Sequence, residues 1–351
     1  MPPADAQALV QLLAVWRKTL ALPELGPDDD IIEQGVGSLA SMGLASVSSD
    51  AIGKRVAVAA ILSARTCRRV LQAMQTAPVS KPHEPNASPM APPSGRPRLI
   101  LLPDISGQML AFTGLSALLA PHFDVFGVEI PKGLRGVQTF SDLLRGIVRA
   151  IRAAQPEGPY RFLGYSYGGT LAAHVAARLE AVGEEIAFLG VLDAAPQGGE
   201  ITAPDSTLPH ERWTNFAQIL SISLAGQLLS QDPKVLETMT NPERAHWVRT
   251  NLIKHGVHLE GMQDQDLEDL CHTYGQLSDL RLPTFPSLDC RVVVWRTLST
   301  DEPSAELQWQ DYAHQLDMRL CAGEHHNLLK PPHLELLAKD ILEAIGEGGT
   351  A

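Results

Sequence analysis

One stretch of this chain constrains its fold more than any other: Tyr160-Arg-Phe-Leu-Gly-Tyr-Ser-Tyr-Gly-Gly-Thr-Leu-Ala-Ala-His-Val-Ala. An apolar run ends in Gly164-Tyr-Ser166-Tyr-Gly168 and passes directly into small residues with helical character, so a strand has to turn sharply into a helix at Ser166. A serine on such a turn is held in a strained backbone conformation with its hydroxyl exposed, and the flanking glycines let strand and helix approach closely. The helix N-terminus supplies backbone N–H groups and a positive dipole end to a developing oxyanion. The pattern predicts Ser166 as a nucleophile.

A serine alone is a weak nucleophile near neutral pH, so a base oriented by a carboxylate is expected further along the chain. The apolar run Ile186–Leu192 ends at Asp193 and a turn, which places that acid at the carboxyl end of a strand. Asp301, beyond the apolar run Val292–Trp295, is the competing acid. The base falls in Gly323-Glu-His325-His326-Asn, a loop just after the apolar run Leu316–Cys321, and spacing alone does not choose between the two histidines. Either choice satisfies the order Ser, Asp, His. One oxyanion donor is expected from the N–H of Tyr167 and a second from the loop Leu101-Leu-Pro-Asp104-Ile105-Ser106-Gly107, where residue type does not choose among Asp104, Ile105 and Ser106.

Short β-rich runs at 98–102, 123–130, 160–164, 186–193, 290–295 and 316–321 alternate with helical stretches, which argues for an α/β domain around a mainly parallel sheet over residues 98–346. The alternation stops between about 200 and 285, where helical patterns carrying Trp213, Phe216, Trp247 and Tyr274 predict a lid inserted over one end of the sheet. Residues 5–75 read as a small all-helical domain, with helices over Ala6–Leu20 and Thr66–Met74 and a shorter one between Leu39 and Ile52. Residues 76–97 contain seven prolines in 22 residues and read as an extended, poorly ordered linker.

A formal charge of −12 opposes a nucleic-acid backbone or an anionic membrane as the main partner. The four cysteines are scattered, form no CxxC and have no histidine at zinc-ligand spacing, so they are expected to be reduced and mostly buried, with no metal site. The N-terminus lacks the order of a secretory signal, and no apolar run reaches membrane-spanning length, which makes a cytoplasmic protein the expectation. Asn86-Ala-Ser is then a chance match to a glycosylation acceptor.

Residues 98–345 resemble the thioesterase domain that ends nonribosomal peptide synthetases and related polyketide systems. The resemblance is carried by Gly158-Pro-Tyr-Arg-Phe-Leu-Gly-Tyr-Ser166-Tyr-Gly-Gly-Thr-Leu-Ala, by Gly183-Glu-Glu-Ile-Ala-Phe-Leu-Gly-Val-Leu-Asp193-Ala-Ala-Pro and by Gly323-Glu-His325-His-Asn-Leu-Leu. It implies an α/β-hydrolase fold with a helical lid, and it selects Ser166, Asp193 and His325 as the triad, His325 over His326 and Asp193 over Asp301. Counting back from Phe112 in the first-strand motif selects Ile105 as the oxyanion donor, although the family's His-Pro-x-Gly-Gly reads Pro103-Asp-Ile-Ser-Gly here.

The amino-terminal unit resembles the peptidyl carrier domain. Asp28-Asp-Asp-Ile-Ile-Glu-Gln-Gly-Val-Gly-Ser38-Leu is similar to the pattern in which a serine at a helix start receives 4′-phosphopantetheine, and Val58-Ala-Ala-Ile-Leu-Ser-Ala-Arg-Thr66 resembles its later helix junction. Gly37 stands where an acid is usual, and Gly43 with Ser46, Ser48 and Ser49 makes the second helix weak by propensity. From residue type alone Ser38 is an ordinary helix N-cap; the resemblance makes it the attachment site. Together the two resemblances imply a serine thioesterase that releases an acyl or peptidyl chain by hydrolysis or cyclisation, with upstream synthetase modules and a phosphopantetheinyl transferase as partners. The competing readings are an esterase or editing thioesterase acting in trans with an unloaded docking domain, and a non-catalytic protein that keeps the hydrolase scaffold.

Overall fold

The computed structural model describes residues 3–34, 36, 38–53, 56, 58–76, 84–134, 136–196, 208–225, 233–257, 259, 262–297 and 308–347. In the amino-terminal unit, helices α1 (Pro3–Leu20), α2 (Ser38–Ile52), α3 (Val58–Ala64) and α4 (Cys67–Thr76) enclose the fully buried Leu12, Trp16, Ile31, Leu44, Ile61 and Val70. The serine-rich α2 forms because packing overrides its propensity. Trp16 donates its indole N–H to the buried Ser48 hydroxyl at 2.8 Å, so a polar group on the buried face of α2 is satisfied.

The second unit is built on seven strands: β1 (Asn86–Pro89), β2 (Arg98–Leu102), β3 (Asp124–Glu129), β4 (Tyr160–Tyr165), β5 (Ile186–Leu192), β6 (Leu288–Thr297) and β7 (Ala313–Cys321). Their order in the sheet is β1-β3-β2-β4-β5-β6-β7, parallel except for β1. Because successive side chains point to opposite faces, each central strand divides its apolar residues between two cores. Ile100, Phe162, Leu189, Val191, Val292 and Val294 join the core under α6 (Phe140–Ala154) and α7 (Tyr167–Glu180). Leu99, Leu163, Phe188, Leu192, Val293 and Trp295 join the core under α5 (Thr113–Leu119) and α12 (His333–Glu347).

The proline-rich stretch departs from the expected linker. Asn86–Pro89 pairs antiparallel with β3, from Asn86 opposite Glu129 to Pro89 opposite Phe126, and so covers what would be an open sheet edge. Proline is tolerated there because the outer side of an edge strand needs no N–H donor. Residues 77–83 lie outside the described residues.

Between β5 and β6 the described chain is helical: α8 (Pro209–Ala225), α9 (Pro233–Glu237), α10 (Asn241–Lys254) and α11 (Asp264–Ser278). Trp213, Phe216, Leu220, Val248, Leu252, Leu267 and Leu270 form its buried core. Polar contacts tie this insertion to the loop after β3: Lys132 Nζ to Asp266 Oδ1 at 2.6 Å and the Leu134 amide to Gln276 Oε1 at 2.8 Å. The chain leaves β2 toward β3 on one side and later returns to place β4 on the other. The carboxyl ends of β2 and β4 therefore flank a topological switch point, where α/β sheets bind ligands.

Candidate active site

Ser166 follows the last residue of β4 and caps α7, with φ 54° and ψ −126°. A positive φ of this kind is costly for a residue with a Cβ and persists only where the surroundings enforce it. Its amide donates to the Leu192 carbonyl at 2.9 Å, which extends the β4–β5 pairing to the turn. The flanking glycines are obligatory: a Cβ on Gly164 would collide with the Gly168 carbonyl, and one on Gly168 with the Leu102 carbonyl.

Asp193 follows β5 and is 5% exposed, also with positive φ, at 46°. Its amide donates to the Trp295 carbonyl at 2.8 Å, and its Oδ1 accepts from the Thr297 amide at 3.0 Å and the Thr297 hydroxyl at 3.2 Å. Its Oδ2 lies 2.8 Å from His325 Nδ1. Burial works to raise the Asp193 carboxyl, but the His325 and Thr297 hydrogen bonds and the Arg296 guanidinium, whose Nε lies 3.8 Å away, hold it below the usual carboxylate range. An ionised Asp193 only accepts, so Nδ1 carries a proton, and the neutral ring's tautomer is the one that leaves the Nε2 lone pair available as a base.

The His325 ring packs on Tyr165, the residue immediately before Ser166, with centroids 5.0 Å apart, and the Tyr165 hydroxyl donates to the His325 carbonyl at 2.6 Å. His326 turns instead to Glu324, with Nδ1 3.3 Å from its carboxylate. The alternative acid Asp301 lies outside the described residues. His174 stands in an apolar cage, edge-on to Phe140 and Phe285, where burial pushes its pKa down to about 4.

Ile105 lies in the loop after β2, and Tyr167 is the first residue of α7. Among the described residues neither amide N–H finds an acceptor, so both can serve an oxygen at the switch point. The loop is closed by the Gly107 amide donating to the Asp104 carbonyl at 2.9 Å, with Gly107 at φ 74°. The substituted loop sequence therefore still makes a tight turn.

Sequence reasoning missed the groups that hold these residues. Arg296 and Thr297 sit at the end of β6, and Tyr165 reads as one more apolar strand residue. An acid at one strand end leads to an expectation of donors at the end of the neighbouring parallel strand, a signal available once the strand order is known. Ser38 is the first residue of α2, whose first turn carries no acidic residue. The helix dipole is therefore unopposed there, which fits a phosphodiester. Among the described residues no group of His, Cys, Asp or Glu is placed to hold a metal, and no helix is long and apolar enough to cross a membrane.

A doubly covered, mainly parallel sheet with a serine elbow after β4, an acid after β5, a histidine after β7 and a helical insertion before β6 defines an α/β-hydrolase with a lid. Within that class the chain belongs to the thioesterase-domain family, whose model matches residues 97–345, and a phosphopantetheine attachment site model matches residues 10–74. It is 31% identical over 199 residues to vanchrobactin synthetase VabF of Vibrio anguillarum, covering 54% of this chain and 7% of that one. It is 31% identical over 201 residues to enterobactin synthase component F of Escherichia coli (strain K12), covering 56% and 15%. The chain thus spans a small fraction of the curated relatives it matches. Among solved structures, a four-domain nonribosomal peptide synthetase, holo-AB3403, superposes with a TM-score of 0.67 at 18% identity, covering 96% of this chain and 26% of that one. The Vlm2 thioesterase domain superposes at 0.57 and 20% identity, covering 74% and 98%. This chain therefore joins a phosphopantetheine-attachment domain to a thioesterase domain.

Proposed function

We propose that this chain releases an acyl or peptidyl chain from a phosphopantetheine thioester, by hydrolysis or cyclisation, as the terminal step of nonribosomal peptide or polyketide assembly. The observation that carries the reading is the 2.8 Å contact between His325 Nδ1 and Asp193 Oδ2 beside the Ser166 elbow. Ser38 is the residue assigned to bind the phosphopantetheine group, which when attached supplies a terminal thiol able to carry the acyl chain as a thioester. A phosphopantetheinyl transferase and upstream synthetase modules are the implied partners.

In this mechanism Ser166 Oγ attacks the thioester carbonyl carbon as His325 Nε2 takes the hydroxyl proton, and Asp193 holds the ring and stabilises the imidazolium. The Ile105 and Tyr167 amides donate to the tetrahedral oxyanion, each such donor contributing about 3 kcal/mol in comparable acyl transfer. The C–S bond then breaks, the departing sulfur takes the proton from His325, and Ser166 is left as an ester. Water or a nucleophile of the bound product attacks that ester, giving its proton to Nε2, and the proton returns to Ser166 Oγ as the product leaves.

Intact-mass analysis after offering synthetic acyl thioesters tests this. The expected result is a transient acyl adduct that maps to Ser166 and is absent in S166A. Product formation with no adduct, and undiminished in S166A, overturns it.

A further inference from the structure

Asp104 stands one residue before Ile105 and is 3% exposed. Its Oδ1 accepts from the Ser106 amide at 2.9 Å and from the Ser106 hydroxyl, which folds the loop around Ile105. Its Oδ2 accepts from the Ser223 hydroxyl at 2.8 Å, and Ser223 lies in the last turn of lid helix α8. The Ser223 carbonyl in turn accepts from Lys330 Nζ at 3.0 Å, and Lys330 follows His325 in the loop after β7. Carbonyls in the last turn of a helix lack intrahelical donors and favour a cation, so Lys330 caps α8 from outside. One lid residue is thus gripped by its side chain from the oxyanion loop and by its backbone from the base-bearing loop.

Electrostatics do not explain the carboxyl. A negative charge beside a forming oxyanion opposes it, and burial already disfavours the charge, pushing the Asp104 carboxyl up against the Ser106 and Ser223 hydrogen bonds and the nearby His325. What the group gains here is geometry: three donors from two separate segments converge on two oxygens.

We propose that Asp104, Ser223 and Lys330 form a clasp through which the docked position of α8 sets the aim of the Ile105 amide, with Asp104 as the positioning residue. The clasp rests on the acyl-transfer reading above. An oxyanion loop tied to the lid is correctly aimed only while the lid is seated, so loss of either partner of the Asp104–Ser223 bond slows Ser166 acylation by one route.

The test is single-turnover acylation of Ser166 by a synthetic N-acetylcysteamine thioester, followed by intact mass, in the full chain and in D104A, D104N, S223A and the double variant D104A/S223A. Displacement of a positioned group by about 1 Å costs on the order of 100-fold, so D104A is expected to acylate about 100-fold more slowly and S223A about tenfold. D104N keeps an acceptor for Ser106 and reverses the bond to Ser223, and it recovers most of the rate lost in D104A. The double variant is no slower than D104A, because coupled residues are non-additive. Acylation by D104A and S223A within about twofold of the parent, or losses that multiply in the double variant, overturns the clasp. If D104A does not fold, S223A carries the test by the same criterion. A parent chain that does not acylate removes the proposed function, and the clasp with it, which separates that failure from failure of the clasp alone.

Discussion

In the amino-terminal unit the candidate attachment residue, Ser38, is the first residue of a helix, whereas the Ser166 site gathers groups from the ends of β4, β5 and β6 and from the loops after β2 and β7, between residues 104 and 330. The first is a local site in a small helical bundle; the second is a long-range construction in which the backbone itself is strained at Ser166 and Asp193. A tethering serine needs only exposure, while a reacting one needs pre-arranged partners.

The two sites part most clearly under substitution of the two serines. S166A is expected to lower thioester turnover by about 10⁴-fold or more, read by steady-state release of thiol from a soluble acyl thioester. S38A is expected to abolish the mass gained on incubation with a phosphopantetheinyl transferase and coenzyme A, an all-or-none loss at the other end of the chain. D193N leaves the hydrogen-bond geometry nearly intact but favours the wrong imidazole tautomer, and a fall of about 10³- to 10⁴-fold in kcat is expected at neutral pH.

Glycines extend the contrast to stability. G168A forces a Cβ into the Leu102 carbonyl and is expected to cost about 3 kcal/mol in urea denaturation. Gly53, just past α2 with φ 67° and open space around it, meets only the left-handed penalty, and G53A is expected to cost about 1 kcal/mol. The smallest effect is in pH. The folded state holds the Asp193 carboxyl below its ordinary value, so its share of stability is present above the unfolded carboxylate pKa and lost as pH falls through the folded one. The gap in unfolding free energy between parent and D193N is expected to narrow as pH falls from 6 to 3, read by urea denaturation at each pH.

Much of this architecture was legible because it is written locally. Gly164 and Gly168 announce the elbow, and apolar runs ending in an acid or a histidine pair mark strand ends facing one site. The α/β-hydrolase class, its lid and the helical carrier unit came from that alternation and from the resemblance. What was not legible depends on register and on contacts distant in sequence. Thr297 reaches Asp193 only because β6 lies beside β5 with Leu192 opposite Trp295. The choice of His325 over His326 came from the resemblance alone, because which ring the loop turns toward Asp193 is not encoded in spacing. Ser223 looks like any polar residue in a helix, and nothing in its neighbourhood announces Asp104, 119 positions earlier. The proline-rich segment misled for a different reason: composition reports the shortage of donors, but an outer strand needs donors on one side only.

That short antiparallel strand fixes how far the carrier unit can reach. With Asn86 stitched to Glu129, ten backbone steps separate it from Thr76, the last residue of α4, and ten steps cover about 35 Å at most. In the proposed reaction, an acyl chain held on Ser38 within that contour stands at an effective concentration in the millimolar range with respect to Ser166. On that proposal, a thioester held on the chain outcompetes any dissolved thioester present at micromolar levels.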